Sequence, residues 1–499
     1  MIGLAWEPSK IDPHRTAADN GLLPVSLACE PLVILQNDGS FTPGLATSWD
    51  ISPEGTSYTF HLREGVTFQD GTPFDAEAVK YNLERIVDPN TKSEQAIDKL
   101  GPFDGAEVVD DSTVVIKLTK PFAAFLDGVS GTEICMVSPT AAKQWGPDEF
   151  QDHFIATGPF ILKEWKRGEQ ILLEKNPSYW GGPDTAGHQG LAYLDAVVFK
   201  FLPEASVRTG TLETGEIQVA QDLPGIDVSR LEGNSSVAVL IKPSPGQPVT
   251  VFFNMSKSPT DDLRVRQAFS YAIDQKAISD TVYQGVLGPA FGPLSPTTPC
   301  YWPGAEEMYA PDLEKAKSLL EEAGWRDENG DGIREKDGQP LKVDFPTYAG
   351  YPALNDPAPV IQAQLREVGA DVNIQPSAGP AWLESGRTGN NNLTIMEWRV
   401  TDPDFSRFVF LSTMVGVFAW NMHSNTALDD LLVKGSVATD PEERCGYYVE
   451  AQKIIMNDAM VKPINLSSAV WGVRTEVQGL QVHDLRTGML SAFDAWLSK

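Results

Sequence analysis

The sequence lacks the features that mark membrane-spanning and nucleic-acid-binding proteins. No stretch of its 499 residues approaches the roughly 18 uninterrupted apolar residues that a membrane-spanning helix needs. Lys and Arg number 39 against 68 Asp and Glu, and the resulting net charge of −29 would repel phosphates. No run of basic residues offsets this charge, so we expect no nucleic-acid partner. We attribute the acidity mainly to solubility.

Cysteine is scarce. The four cysteines (Cys29, Cys135, Cys300 and Cys445) lie far apart and show no C-x-x-C or Cys/His spacing. This distribution argues against a zinc site, and we expect no metal. Two alternatives stay open: four free thiols, which we favour, or one disulfide in an oxidising compartment.

Motifs of catalysis and of cofactor binding are missing. The sequence contains no G-x-S-x-G, Walker loop, H-E-x-x-H or G-x-G-x-x-G. Six scattered histidines form no i, i+4 pair, and we interpret each as a surface or core residue. Asp402 and Asp404 have the composition of a glycosidase pair, but "DPD" is more typical of a turn. We therefore expect neither an enzyme nor a cofactor.

One segment, "DENGDGIREKDG" from Asp327 to Gly338, is similar to a calcium loop. Its first half matches an EF-hand, but Gly338 occupies the twelfth position, where a bidentate Glu is required. We interpret the segment as a polar hairpin between a helix ending near Trp325 and the strand "LKVDF".

Length and apolar periodicity predict two to four domains of α/β type. "YTFHL" at residues 58–62 alternates as a half-buried strand does, and Asp75 is the predicted N-cap of the helix that follows. After residue 260 we predict the helices "DDLRVRQAFSYAIDQKAI", "PDLEKAKSLLEEAGW" and "DPEERCGYYVEAQKII", with the strands "LKVDFPTY", "DVNIQP" and "NLTIMEW" between them. Asp261 or Asp262, then Asp312 and Asp440, are their predicted N-caps.

A set of longer segments resembles the large extracytoplasmic solute-binding proteins of ABC importers, the family of oligopeptide-, dipeptide- and nickel-binding proteins. The resemblance extends almost from end to end of the chain. Its ordered segments are "KIDPHRT", "EPLVILQNDGSFTPGLATSWDISPEGTSYTFHLREGVTFQDGTPFDAEAVKYNLERI", "TGPFILKEWKRGEQILLEKNPSYWG", "LDAVVFKFLPEASVRTGTLETGEI", "DLRVRQAFSYAIDQKAI", "AKSLLEEAGW" and "PEERCGYYVEAQKIIMNDA".

The resemblance implies an α/β, two-lobed periplasmic-binding-protein fold of type II with an extra domain, as in the large cluster C-like members. Lobe I would comprise residues 1–41, 157–250 and 471–499, the extra domain residues 42–156, and lobe II residues 251–470. Such lobes close on a small-molecule solute, which is then delivered to the transmembrane subunits of an ABC permease. No bond is broken, in agreement with the missing catalytic motifs. We expect a monomer.

The cellular location follows from the resemblance alone. It implies the periplasm, or a lipid anchor at the outer face of the cytoplasmic membrane. The sequence begins with "MIGLAWEPSK", which has the pattern of a strand, and no charged and apolar leader precedes it. We therefore expect that a signal peptide is absent from this sequence; by composition alone, a cytosolic protein is the alternative.

The end of the strand "NLTIMEW" departs from the pattern of peptide-binding members. In those proteins a Trp is followed three residues later by an Asp that binds the peptide α-amino group. Here Trp398 is followed three residues later by Thr401, and Asp402 lies one residue further. Arg399 adds a positive charge beside Trp398. This departure argues against an ordinary oligopeptide or dipeptide, which we keep as the alternative ligand.

The sequence also departs from the nickel-binding members. Their histidine corresponds to a position near Ala419, whereas His423 lies in "WNMHSN". Their arginine in the extra domain corresponds to Cys135. A nickel chelate is therefore a weaker hypothesis.

The remaining candidates for ligand binding combine aromatic walls with one cation. Trp398, Phe418 and Trp420 would stack on a sugar ring or cover an apolar chain. Arg399 would bind a carboxylate or phosphate, or else pair with Asp402 or Asp404. By resemblance, lobe I contributes Arg15, Leu22, Cys29 and Glu30, and the extra domain contributes Cys135. Tyr351 is a candidate because it lies in the strand-to-helix loop after "FPTY", and such loops of α/β layers open at the ligand crevice.

These residues suggest an anionic or zwitterionic solute, such as an opine-like sugar–amino-acid conjugate, an acidic oligosaccharide or a modified peptide. Two other functional classes share parts of this pattern. A glycosidase would turn over a chromogenic sugar through Asp402 or Asp404. A chemoreceptor adaptor would bind a sensor instead of the permease that a transport subunit brings down with membrane fractions.

Replacing Arg399 tests the hypothesis of an anionic solute. We expect Arg399→Ala to weaken solute binding at least tenfold, about 1.4 kcal/mol, because a charge-assisted bond to the solute is lost. Calorimetric titration measures this, and unchanged affinity would contradict the hypothesis.

Overall fold

The computed structural model describes residues 1–16, 19–486 and 488–498. The chain divides into two compact units, which we call unit 1 (Met1–Lys242 with Ala469–Lys499) and unit 2 (Pro243–Ser468). The chain therefore enters unit 2 once and leaves it once. No helix among the described residues has the length and apolar character needed to cross a bilayer.

The described strands, numbered along the chain, are β1 (Ile2–Leu4), β2 (Val33–Leu35), β3 (Phe41–Pro43), β4 (Ala46–Ile51), β5 (Ser57–Leu62), β6 (Phe103–Asp110), β7 (Thr113–Leu118), β8 (Phe160–Lys166), β9 (Gln170–Lys175), β10 (Ala196–Phe201), β11 (Val219–Gln221), β12 (Val237–Pro243), β13 (Gly246–Phe253), β14 (Glu335–Lys336), β15 (Gln339–Pro340), β16 (Lys342–Tyr348), β17 (Asp371–Ser377), β18 (Leu393–Arg399), β19 (Val461–Asn465), β20 (Ser468–Arg474), β21 (Val477–Gln478), β22 (Gln481–Val482), β23 (Leu490–Ser491) and β24 (Trp496–Leu497).

The described α-helices are α1 (Asp19–Ser26), α2 (Ala76–Val87), α3 (Ala96–Leu100), α4 (Phe125–Val129), α5 (Pro139–Glu149), α6 (Ala205–Thr214), α7 (Gly225–Leu231), α8 (Leu263–Ala272), α9 (Gln275–Tyr283), α10 (Leu313–Glu322), α11 (Pro352–Asn355), α12 (Ala358–Glu367), α13 (Gly379–Thr388), α14 (Phe405–Phe410), α15 (Thr426–Val437) and α16 (Pro441–Asn457). Short 3₁₀ helices lie at Thr132–Ile134, Phe150–His153, Pro303–Glu307 and Ser412–Met414.

Unit 1 contains a mixed sheet and a separate antiparallel one. The mixed sheet has the strand order β12-β20-β11-β1-β10-β9-β8, in which β1 runs parallel to both neighbours. The antiparallel sheet has the order β4-β5-β7-β6 and its own apolar core with α2. Asp75 caps α2 by accepting a hydrogen bond from the backbone N–H of Ala78, as predicted. The predicted strand at residues 58–62 lies within β5.

Unit 2 is built on the antiparallel sheet β18-β13-β19 and the parallel pair β16–β17. The predicted strands coincide with β16, β17 and β18. The N-caps Asp312 and Asp440 accept hydrogen bonds from Lys315 and Glu443 N–H groups, which confirms those predictions.

The single helix predicted from "DDLRVRQAFSYAIDQKAI" is wrong. Asp262 caps α8, but α8 ends at Ala272, and the Asp274 side chain accepts a hydrogen bond from Ala277 N–H to start α9. The side chain of a capping residue accepts a hydrogen bond from a backbone N–H that a continuous helix would pair with a carbonyl, so it ends one helix and starts another. The apolar periodicity continues across this break because each of the two helices buries an apolar face.

The segment similar to a calcium loop ends in the hairpin β14–β15, as predicted. Both oxygens of Asp327 accept backbone hydrogen bonds, from Gly330 and Gly332, and so organise the turn. Over the described ranges, no group of three His, Cys, Asp or Glu side chains is arranged to hold a metal ion.

The preference for four free thiols is wrong. Cys29 is bonded to Cys135 in unit 1, and Cys300 to Cys445 in unit 2. Their sequence separations are 106 and 145 residues. Closing loops of that size in the unfolded chain corresponds to about 5 kcal/mol of stabilisation for each bond in the chain-entropy model. Partners so distant in sequence have no local signal, so only the tertiary structure pairs them.

The "KIDPHRT" segment is held by a buried ionic network in unit 1. Arg85 donates to both carboxylate oxygens of Asp12 at 3.0 and 2.5 Å and to His14 Nδ1 at 2.7 Å. Burial, reinforced by the Arg85 charge, lowers the pKa of His14 to about 3. The imidazole is therefore neutral at pH 7, and its Nε2–H donates to the carbonyl of Cys135 at 3.1 Å. The network thus joins the N-terminal segment to the Cys29–Cys135 disulfide.

Unit 2 buries a lysine without a carboxylate partner among the described residues. Lys462 on β19 is 1 % exposed, and its amine donates to the carbonyl of Tyr309 at 3.2 Å. Burial lowers the pKa of Lys462 to about 7. Below that pH, the folded protein must keep a poorly solvated ammonium in its core.

We expect Lys462→Met to stabilise the protein most below pH 7. The unfolded chain holds the proton up to the ordinary pKa of 10.5, so it binds more protons than the folded chain between pH 7 and 10.5. Wild-type stability should therefore rise with pH in this window, and the advantage of the variant should disappear near its upper end. Urea unfolding at several pH values measures the difference. The exposed-pair control Lys317→Met should change little at any pH, and a stabilisation by Lys462→Met that is independent of pH would contradict the expectation.

Candidate functional site

Strand β18 separates the two residues that the sequence places side by side. Trp398 and Arg399 are consecutive in an extended strand, so their side chains point to opposite faces of the sheet. The hydrogen bonds agree with this arrangement. Trp398 Nε1–H donates to the Met396 sulfur and Arg399 donates to the Glu397 carboxylate, and each acceptor lies two residues earlier on the same face of the strand. The two faces therefore form two different chemical surfaces.

The Arg399 face is a network of polar side chains. Arg399 donates to Glu397 and to the Tyr351 hydroxyl, both at 3.3 Å. Tyr351 and Ser467 each donate to the Glu397 carboxylate, whose side chain is 5 % exposed. The structure thus brings together the predicted residues Tyr351 and Arg399. Sequence reasoning missed Glu397, although its position two residues before Arg399 on a strand is the signal that could have found it.

The Trp398 face is an aromatic surface with a cation beside it. Phe418 meets Trp398 edge to face, with ring centroids 5.1 Å apart. The guanidinium carbon of Arg387, in the last turn of α13, lies 6.0 Å from the Phe418 centroid. Arg387 is exposed and forms no ion pair or hydrogen bond with the described part of the chain. The sequence shows no pattern that links Arg387 to Phe418, and we did not predict it.

Trp420 lies in the interior instead of on this surface. It is 1 % exposed, packs edge to face on Trp382 at 5.0 Å, and donates from Nε1 to the Val417 carbonyl. Its ring covers Gly386, where a Cβ would overlap it. The Trp420 ring therefore packs directly against α13 at Gly386.

The loop after β18 is fixed by ion pairs. Arg444 donates to both oxygens of Asp402, at 2.6 and 2.9 Å. Arg407 and the Tyr448 hydroxyl donate to Asp404. Of the two alternatives kept for Arg399, the structure shows an ion pair, but its partner is Glu397; Asp402 pairs with Arg444 and Asp404 with Arg407.

Thr401 completes this loop. It is 8 % exposed and lies between the end of β18 and Asp402. Its burial leaves little of the side chain open to solvent.

Glu30 organises a separate polar group in unit 1. Its two carboxylate oxygens accept hydrogen bonds from the Tyr179 hydroxyl at 2.6 Å and from Trp180 Nε1 at 2.9 Å. The Arg63 guanidinium carbon lies 4.5 Å above the Trp180 ring. Burial raises the pKa of Glu30 to about 7, against the opposing effect of these hydrogen bonds. Glu30 thus changes charge near neutral pH.

The other candidates in unit 1 are buried. Arg15 is 8 % exposed and pairs with Asp148 at 3.0 Å. Leu22, Cys29 and Cys135 are each at most 2 % exposed, and the two cysteines form a disulfide. Their packing gives each of them a structural role, and their contact with a solute stays a prediction.

A family model agrees with this architecture over most of the chain. Residues 40–415 match the model of "Bacterial extracellular solute-binding proteins, family 5 Middle". The chain belongs to this family.

Individual relatives agree with that membership. The nickel-binding periplasmic protein of Escherichia coli K12 is 31% identical over 431 residues, which cover 83% of this chain and 78% of that protein. The crystal structure of NikA from Brucella suis in complex with Fe(III)-EDTA is 25% identical, has a TM-score of 0.89, and covers 100% of this chain and 99% of NikA.

A third relative is a periplasmic binding protein associated with an ABC transporter, DppA from Helicobacter pylori in complex with the peptide STSA. It is 27% identical, with a TM-score of 0.80 over 100% of this chain and 98% of that protein. These matches confirm the predicted α/β, two-lobed fold and the predicted family. The protein is a substrate-binding subunit of an ABC importer: family 5 proteins bind small solutes and deliver them to ABC permeases.

The Asp402–Arg444 pair of this solute-binding protein should matter for stability. We expect Asp402→Asn to lower the free energy of unfolding by about 2 kcal/mol, because it leaves Arg444 partly buried without its counter-charge. Urea unfolding measures the loss. The control Glu314→Gln, which breaks an exposed pair with Lys317, should cost less than about 1 kcal/mol.

The same variant tests the role of Asp402 in binding. Solute affinity should stay within about twofold of the wild type, because Arg444 already occupies the carboxylate. Lost binding at unchanged stability would instead identify Asp402 as a ligand contact.

Proposed function

We propose that this solute-binding protein carries an anionic or zwitterionic small solute, held in unit 2 by the aromatic surface of Trp398 and Phe418 with Arg387. The observation that carries the proposal is Arg387, an exposed cation over an aromatic ring. A guanidinium in this position offers a planar fork to a carboxylate or phosphate. The adjoining rings cover the apolar or ring-shaped part of the same molecule.

Arg399 supplies a different kind of recognition. Its charge is offset by the buried Glu397, so the pair is close to neutral as a whole. A zwitterionic group, with an ammonium and a carboxylate, matches such a pair better than a simple anion does. An opine-like conjugate or a modified peptide combines both features, and we favour these over a purely acidic oligosaccharide.

Relatives give partial support to the anionic class. NikA from Brucella suis holds Fe(III)-EDTA, a chelate made with carboxylates. DppA from Helicobacter pylori holds a peptide, which keeps the ordinary peptide ligand as the second candidate. The ion pair between Asp402 and Arg444 argues against it, because the carboxylate that would receive an α-amino group is already neutralised.

The same ion pairs argue against a glycosidase. Asp402 and Asp404 are each held in an ion pair with an arginine, so neither carboxyl group is available to protonate a glycosidic oxygen. We therefore propose a non-enzymatic, monomeric protein whose partners are the solute and the permease. A nickel chelate and a chemoreceptor adaptor remain less favoured alternatives.

We also propose an extracytoplasmic location, in the periplasm or at the outer face of the cytoplasmic membrane. Two disulfides support it, because such bonds persist in oxidising compartments. The separate apolar core between Leu32 and Met136 supports the assignment of an extra domain at about residues 42–156.

Arg387→Ala should weaken solute binding at least tenfold, because a charge-assisted contact is lost. Native followed by denaturing mass spectrometry of the purified protein identifies the co-purified solute, and calorimetry then gives its affinity. Arg366→Ala, which removes another exposed arginine of unit 2, should leave the affinity unchanged. Equal affinities in Arg387→Ala and wild type would overturn the proposed surface.

A further inference from the structure

The two disulfides differ in their exposure to solvent. Cys29 and Cys135 are 2 % and 0 % exposed, whereas Cys300 and Cys445 are both only half-buried. Gly446, the residue after Cys445, is exposed, and a Cβ built on it would meet no atom within 4 Å. A thiol attacks a disulfide only where it can reach one of the sulfur atoms. The Cys300–Cys445 bond is therefore the more accessible of the two to thiol–disulfide exchange in the folded protein.

The backbone at Cys300 is a second reason to expect reactivity there. Its φ is +66°, in the left-handed region that residues with a Cβ rarely adopt. Such a conformation persists only while the surrounding structure holds it, and the bond to Cys445 on α16 is one of the contacts that do so. Cleavage of the bond allows the backbone at Cys300 to relax, and exposed, strained disulfides are the ones that are most readily reduced.

Cys445 lies beside the arginine that fixes the loop after β18. Arg444, its neighbour on α16, donates to both oxygens of Asp402 and to the Gly435 carbonyl at 3.1 Å. The disulfide ties the same part of α16 to Cys300, which lies 145 positions earlier in the chain. The bond therefore helps to hold the helix that positions Asp402.

Gln452 provides a second tie, which remains when the disulfide is cleaved. It lies two turns after Cys445 on α16, where its Oε1 accepts from Trp302 N–H at 3.1 Å and its Nε2 donates to the Cys300 carbonyl at 2.7 Å. Cleavage thus loosens the N-terminal half of α16 but keeps the Cys300 segment attached to the helix. The two thiols stay near each other, so the bond can form again.

We propose that Cys300–Cys445 is a reversible redox site of unit 2, reduced by a dithiol oxidoreductase. One thiolate of the dithiol attacks a sulfur of the bond, forms a mixed disulfide with it and releases the other protein cysteine as a thiolate. The second thiol of the dithiol then displaces the protein, so the dithiol becomes a disulfide and the protein gains two electrons and two protons. Reduction loosens the loop at Asp402, while Cys29–Cys135 stays oxidised. This inference holds for any solute.

Trapping of thiols in the folded protein tests the site. The protein is incubated with dithiothreitol or with reduced thioredoxin, and free thiols are alkylated with iodoacetamide at intervals. Peptide mass spectrometry should find Cys300 and Cys445 alkylated at least tenfold faster than Cys29 and Cys135 with either reductant. Equal rates, or faster labelling of Cys29 and Cys135, would overturn the proposal. Reduction by dithiothreitol but not by thioredoxin would overturn the role of a dithiol oxidoreductase.

Hydrogen exchange tests the effect on the loop. In selectively reduced protein, amides of residues 401–405 should exchange at least threefold faster than in oxidised protein, and oxidised glutathione should restore the slow exchange. The double variant Cys300→Ser/Cys445→Ser should behave as the reduced protein does. Strand β16 of the same unit is the internal control and should not change.

Two results of the exchange measurement would contradict the proposed control of the loop. Unchanged exchange at residues 401–405 would show that the disulfide does not support this loop. Equal acceleration in β16 would show general loosening of unit 2 instead of a local effect. Because chemical reduction is carried out on the wild-type chain, both results can be read even where the double variant does not fold.

Discussion

Burial of strand β13 is the constraint on which the candidate site in unit 2 depends. All of its residues from Gly246 to Phe253 are buried, and it pairs with β18 on one side and β19 on the other. Gly246 has φ +104°, and a Cβ there would overlap the Trp398 carbonyl. Only glycine allows β13 and the end of β18 to approach this closely. The resulting register determines which side chains share each face.

The distribution of charge then decides what each surface can recognise. The Arg399 charge is balanced by Glu397, and Asp402 is balanced by Arg444. Such balanced pairs hold geometry but exert little net attraction at a distance. Arg387 has no such counter-charge among the described residues, which is why it outweighs Arg399 in the proposed anion binding. The chain as a whole has a net charge of −29, so the exposed guanidinium of Arg387 gives a local positive potential that attracts an acidic solute.

Local signals predicted the elements well. Asp75, Asp312 and Asp440 cap their helices because a short polar side chain before a helical pattern has one dominant local use. The apolar composition of the segments that end near Tyr348 and Arg399 predicted them as strands. The predicted helix through Asp274 was wrong because periodicity reports which residues are buried, and a break between two packed helices does not alter that pattern. The sequence predicted Tyr351 and Arg399 as candidate ligand-binding residues, but it did not predict that both would form hydrogen bonds with Glu397.

The sequence by itself determined the family, the α/β class and most helix starts, since these depend on short-range patterns and on an ordered set of segments. Only the tertiary structure decided the disulfide partners and the closeness of Arg387 to Phe418. Each of these joins residues through the register of strands or the packing of a helix on a sheet. Contacts of that kind arise from burial over the whole unit, so no local stretch of sequence encodes them.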